Sequence, residues 1–126
     1  MRRILDYPQV TDELLQEIVR RILSVGSPHT IVLFGSRARG DARPDSDLDL
    51  MVLSEDLDVR LLARRTLDIG TLLGREVNVL DVTPDDLTRR LALGRGFYRR
   101  VLKGPKRWVI GDAEQLPPAA RAIAAA

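Results

Sequence analysis

The sequence contains no cysteine, so disulfide bonds and thiolate metal sites are excluded. No apolar run approaches the roughly 20 residues of a membrane-spanning helix, and Met1-Arg2-Arg3 is not followed by the apolar segment of a secretory signal. Aromatic residues are also scarce, with one tryptophan, two tyrosines and two phenylalanines. From the missing cysteine, membrane span and secretory signal, we expect a cytoplasmic protein that crosses no membrane. Of the few aromatic residues, we expect Phe97 and Trp108 to pack beneath the C-terminal elements.

Lysine is almost absent, because Lys103 and Lys106 are the only two among 20 basic residues. The 18 acidic residues are interspersed among the arginines, and the net charge is only +2. A nucleic-acid groove needs a stripe of basic residues with stacking aromatics. We therefore interpret most of the charge as solvated surface and expect no nucleic-acid partner.

The hydrophobic pattern predicts one domain of the α/β (α+β) class over residues 1–112, followed by a flexible Pro/Ala-rich tail over 113–126. A short connection joins two of the predicted strands, at 30–34 and 48–53, which favours antiparallel pairing and a mixed sheet. Helices flank this small sheet. The predicted helices lie at 11–23, 57–73, 84–93 and 97–102, and two further strands at 76–82 and 108–110.

Gly35-Ser36 lies at the end of the first predicted strand, and Asp47 and Asp49 follow after ten intervening residues. Glycine allows a phosphate to approach the backbone closely, and residues two apart in a strand point to the same face. Two carboxylates 4 Å apart repel by about 4 kcal/mol at an effective dielectric near 20, so a cation should lie between them. Oxygen ligands suit Mg²⁺ or Mn²⁺, which completes its coordination with water and substrate phosphates.

The alternative interpretation is an Asp-rich turn over residues 41–49 that is merely solvated. A lone Asp-x-Asp would favour that alternative. The preceding Gly35-Ser36 at a strand end favours a phosphate-and-metal site and hence phosphoryl or nucleotidyl transfer.

The segment from Phe34 to Leu50 resembles the signature of minimal nucleotidyltransferases of the DNA polymerase β-like superfamily. The resemblance implies the DNA polymerase β-like nucleotidyltransferase fold. It also implies that Gly35, Ser36 and Arg39 bind a nucleoside triphosphate, ATP or another. It implies a divalent metal ion held by the two aspartates of the motif. The chain also resembles small family members that pair with helical HEPN toxins as antitoxins, which implies transfer of a nucleotide, such as AMP, to a partner tyrosine within a homo- or hetero-oligomer.

The third acidic position of that family falls on Asn78 in this chain. An amide oxygen can ligate a metal, but an amide cannot act as a base at pH 7. The alternative function is therefore a catalytically weakened antitoxin that binds nucleotide and neutralises its toxin by contact. Two acids are candidates to replace the missing carboxylate: Glu76, on the same strand parity as Asn78, and Asp81, on the opposite face or simply solvated at the strand end.

Overall fold

A computed structural model describes residues 13–35, 38, 47–65, 77–94 and 96–125. Its helices and strands are interspersed along these ranges. Their bounds are α1 (Glu13–Leu23), β1 (Thr30–Phe34), β2 (Leu48–Leu53), α2 (59–65), β3 (Val77–Val82), α3 (Pro84–Ala92), α4 (Gly96–Lys103), β4 (Arg107–Ile110), a 3₁₀ turn (Ala113–Gln115) and α5 (Pro118–Ala125).

The four strands form one mixed sheet in the order β3-β2-β1-β4. β1 pairs antiparallel with both β2 and β4, whereas β2 and β3 are parallel. The expected mixed sheet and α/β class are confirmed, and β4 lies at an edge of the sheet as the sequence predicted.

The sheet separates two apolar clusters because successive strand residues point to opposite faces. On one face, Ile31 and Leu50 pack with Ile18 of α1 and with Leu62 of α2. The other face carries a second cluster contributed by β1, β2, β3 and the helices α3, α4 and α5. Its largest fully buried members are Val32, Met51, Leu53, Leu87, Leu102 and Leu116. Asp49, a predicted metal ligand, shares the strand parity of Met51 and therefore lies on this second face.

Side-chain caps fix where two helices begin. Asp58 Oδ1 accepts a hydrogen bond from the Leu61 backbone N–H at 3.1 Å, so α2 starts just after Asp58. Thr83 Oγ1 accepts from the Asp86 N–H at 3.1 Å, and Pro84 occupies the first turn of α3. The helix expected over 57–73 is present over 59–65, and residues 66–73 lie outside the described residues.

The segment after β4 differs from the flexible tail that its Pro/Ala-rich composition suggested. Asp112 and Gln115 close a capping box around the 3₁₀ turn, and α5 follows from Pro118. Leu116 and Ala120 are buried against the second apolar cluster. Alanine has the highest helix propensity, and packing of the apolar face against the second apolar cluster stabilises this helix. None of the helices in the described parts of the chain is long and apolar enough to cross a membrane.

Candidate functional site

Three side chains form a row across adjacent strands at one end of the sheet. Phe34 of β1 is paired with Asp49 of β2, and Asp49 is paired with Asn78 of β3. Directly paired residues share a face, so all three side chains project toward the face covered by α3, α4 and α5. The row brings together Asp49 and Asn78, which are 29 positions apart in the sequence.

Asn78 is hydrogen bonded to Asp49. Its amide Nδ2 donates to Asp49 Oδ1 at 2.9 Å, with Asn78 exposed and Asp49 half-buried. A carboxylate at position 78 would face the same oxygen and repel it. The amide therefore replaces a repulsive contact with an attractive one, which holds the Asp49 carboxylate in place.

Gly35 lies directly against the other oxygen of the Asp49 carboxylate. Its φ is +76°, and a Cβ at this position would lie 2.4 Å from Asp49 Oδ2. Both the left-handed backbone and the close approach require glycine. The sequence indicated Gly35 through its expected phosphate contact, whereas the contact with Asp49 emerges only from the pairing of β1 with β2.

Asp47 is exposed and immediately precedes β2. Among the described residues, no group of three or more His, Cys, Asp or Glu side chains could hold a metal ion. Two carboxylates nevertheless fit Mg²⁺ or Mn²⁺, because such an ion often binds one or two carboxylates and takes its other ligands from water and substrate phosphates. Asp47 and Asp49 therefore stay the predicted ligands of such an ion.

Glu76 and Asp81 are the two candidates to replace the missing third carboxylate, and the structure describes only Asp81. Asp81 pairs with Val52, and the β2–β3 register runs without a shift from Leu48 to Leu53. Asp81 therefore lies on the face opposite Asn78 and is not brought to Asp49. Glu76, like the predicted phosphate contacts Ser36 and Arg39, lies outside the described residues.

Phe97 is the feature of this region that sequence reasoning missed, because it was expected to pack in the core. Its side chain is 43% exposed and meets Phe34 edge to face, with ring centroids 6.2 Å apart. Both rings line two adjacent clefts. One, of about 620 Å³, is lined also by Asp49 and Asn78, and the other, of about 190 Å³, is lined also by Gly35 and Arg100.

Tyr98, the neighbour of Phe97, is buried and packs against it edge to face at 5.4 Å. The Arg90 guanidinium lies 5.4 Å from the Tyr98 ring centroid, a cation–π distance. Asp86, hydrogen bonded to this guanidinium, raises the pKa of Arg90. These contacts join α3 to α4 beneath Phe97, and they support its exposed ring.

Comparisons with known proteins identify the fold and the family of the chain. Solved structures with the same fold include a toxin–antitoxin complex with AMP-PNP (19% identity, TM-score 0.58, 92% of this chain and 82% of that chain). They include a Shewanella oneidensis complex of a tri-AMPylated HEPN toxin with an MNT antitoxin (17%, TM-score 0.54, 88% and 77%). A variant of the MntA–HpeT toxin–antitoxin pair is similar to the same degree (19%, TM-score 0.55, 87% and 79%).

At these identities the solved structures establish the fold alone, and no curated protein sequence matches the chain significantly. The family assignment comes from a sequence model described as a nucleotidyltransferase domain, which matches residues 12–108. That range contains the Gly35-Ser36 turn, both aspartates of the motif and Asn78. The chain therefore belongs to the nucleotidyltransferase domain family.

Proposed function

We propose that this protein is a metal-dependent nucleotidyltransferase that transfers AMP from ATP to a tyrosine hydroxyl of a HEPN-type partner and thereby acts as its antitoxin. The observation that carries the proposal is the contact of Gly35 with Asp49 beside Asn78, at the end of the sheet where the family signature lies. The similar folds of an AMP-PNP complex and of a complex with an AMPylated toxin support the choice of ATP and of a protein acceptor. We propose that the reaction takes place in the cytoplasm.

In the proposed reaction, the acceptor oxygen bonds to the α-phosphorus while the bond to the bridging oxygen breaks and pyrophosphate leaves. A bound Mg²⁺ or Mn²⁺ would supply positive charge for the phosphates. Gly35 leaves room beside Asp49 for a phosphate to approach, and the hydrogen bond from Asn78 orients the Asp49 carboxylate. Asn78 cannot accept the hydroxyl proton, so we assign that role to Glu76 or to solvent water.

The Asn78 hydrogen bond also favours a second candidate function. Because the amide donates to Asp49 Oδ1, that oxygen is already occupied by a protein donor. A site with this bond and without a third carboxylate would bind nucleotide better than it transfers it. In this second candidate, the protein neutralises its toxin by contact and nucleotide binding modulates the complex.

Label transfer distinguishes the two candidates. The purified protein is incubated with Mg²⁺, ATP labelled at the α-phosphate and a HEPN-type partner protein, and the acceptor is examined by intact mass and autoradiography. Asp47→Ala/Asp49→Ala is the inactive control, and Asp81→Ala is the matched control because Asp81 lies on the other face.

Transfer that is lost in the double variant and kept in Asp81→Ala would support the enzyme. Absence of transfer, with Mg-ATP binding and a tight complex both intact, would support the contact antitoxin. Absence of both nucleotide binding and complex formation would contradict both candidates.

A further inference from the structure

The two clefts on either side of Phe97 carry opposite charge. Among the described residues that line the larger cleft, Asp49 is the one charged side chain. Among the described residues that line the smaller cleft, Arg100 is the one charged residue, and the others are apolar or glycine. A polyanionic ligand that spans this region is therefore attracted to one end and repelled from the other unless a cation screens Asp49.

The Arg100 side chain lies back along the first turn of α4. A Cβ at Gly96 would lie 3.0 Å from Arg100 Nη1, so the guanidinium occupies the space that a larger residue at position 96 would fill. The same cleft is lined by Gly35, the first residue after β1. Arg100 and Gly35 thus line one cleft although they are 65 residues apart in the sequence.

The charge of the surrounding segment reinforces this end of the site. No acidic residue occurs between Asp86 and Asp112, although the chain as a whole is nearly balanced. The basic residues of this interval are Arg89, Arg90, Arg95, Arg99, Arg100, Lys103, Lys106 and Arg107.

Some of these charges are already engaged within the protein. Arg89 and Arg90 bond to Asp86, and Lys106 donates to the Leu102 carbonyl at 2.5 Å. Within the described ranges, no carboxylate lies within ion-pair distance of the Arg100 guanidinium.

We propose that the smaller cleft binds the terminal phosphates of the nucleoside triphosphate and that Arg100 is a phosphate-binding residue of this protein. This proposal rests on the proposed nucleotidyl transfer and adds an orientation to it. The triphosphate runs from Arg100 past Gly35 to Asp49, so that pyrophosphate leaves toward α4 and the acceptor approaches from the Asn78 side. A planar guanidinium suits this role because it bonds two phosphate oxygens at once.

Arg100→Gln tests the assignment, with Arg99→Gln as the matched control. Arg99 is the preceding residue of α4, is exposed, carries the same charge and lines neither cleft. Isothermal titration calorimetry measures the binding of Mg-ATP, AMP and inorganic tripolyphosphate to each variant, and thermal unfolding checks that both are folded.

We expect Arg100→Gln to weaken Mg-ATP and tripolyphosphate by about tenfold to a hundredfold, the range of a hydrogen bond to a charged group. AMP affinity should be unchanged, because its single phosphate lies at Asp49. Arg99→Gln should match the wild type with all three ligands, and Arg100→Lys should recover part of the loss.

Equal Mg-ATP affinity in the wild type and Arg100→Gln would overturn the assignment and leave the proposed transfer standing. Equal losses for AMP and ATP would also overturn it, since they would indicate contact with the nucleoside or altered packing. Conversely, an Arg100-dependent affinity for Mg-ATP without label transfer would support this site and contradict the proposed enzyme. A wild type that binds neither Mg-ATP nor tripolyphosphate would overturn both proposals.

Discussion

Replacing Gly35 with alanine tests whether the contact between Gly35 and Asp49 is essential to the site. Two costs are expected. A left-handed backbone costs a residue with a side chain about 1–2 kcal/mol, and Gly35 has a φ of +76°. The new Cβ would also lie 2.4 Å from Asp49 Oδ2, and relieving such an overlap costs about 1–3 kcal/mol. We expect the free energy of unfolding to fall by about 2–5 kcal/mol in total.

Gly94→Ala separates these two costs. Gly94 has nearly the same φ, +73°, but a Cβ there meets nothing within 4 Å. This control therefore pays the backbone cost alone, about 1–2 kcal/mol. Urea unfolding of both variants measures the loss in the free energy of unfolding for each. The slopes of the free energy against urea concentration are compared so that the two losses can be placed on one scale.

The same substitution in an Asp49→Ala background identifies the clashing group. Without the carboxylate, the cost of Gly35→Ala should fall to that of Gly94→Ala. A Gly35→Ala variant that loses no more stability than Gly94→Ala, and still binds Mg-ATP as the wild type does, would refute the reasoning. So would an equal cost in both backgrounds, because the overlap would then involve some other group.

Three further predictions concern Asn78, Asp56 and Leu116. Asn78→Asp replaces the donor to Asp49 with a carboxylate, so it should destabilise the metal-free protein in urea unfolding and yet raise the label-transfer rate in the presence of Mg²⁺; a lower rate would count against a third-carboxylate role at this position. Hydrogen bonds from the Ser27 backbone and then the Ser54 hydroxyl lower the pKa of Asp56 below 3.8, so its stabilising contribution is present above that pH and lost as the pH falls through the folded-state pKa. Asp56→Asn should therefore flatten the acid limb of stability against pH, and an acid limb equal to the wild type's would contradict this cause. Leu116→Ala should lower the free energy of unfolding by about 2–5 kcal/mol if α5 packs on the domain, whereas a flexible tail would leave the unfolding midpoint unchanged.

Local sequence determined which segments form helices and strands and which residue types meet at their ends. The strand from Thr30 to Phe34 is β-branched and apolar, and Thr83-Pro84 begins a helix because its cap and its fixed φ act within a single turn. The Gly35-Ser36 and Asp47-x-Asp49 spacing identified the family before any contact was known. The opposite facing of Asp81 and Asn78 also followed from strand parity alone, and the unshifted register agrees with it.

Only the tertiary structure decided the contacts between residues that lie far apart in the sequence. The 2.9 Å bond from Asn78 to Asp49 requires β3 to pair parallel with β2, and the cleft that Arg100 and Gly35 both line requires α4 to lie near the end of β1. A local sequence pattern predicts neither contact, because each one forms only when separate strands and helices are packed together. The burial of Ala120 likewise depended on an apolar surface elsewhere in the fold. Composition cannot reveal such a surface, which is why the Pro/Ala-rich segment was expected to be flexible.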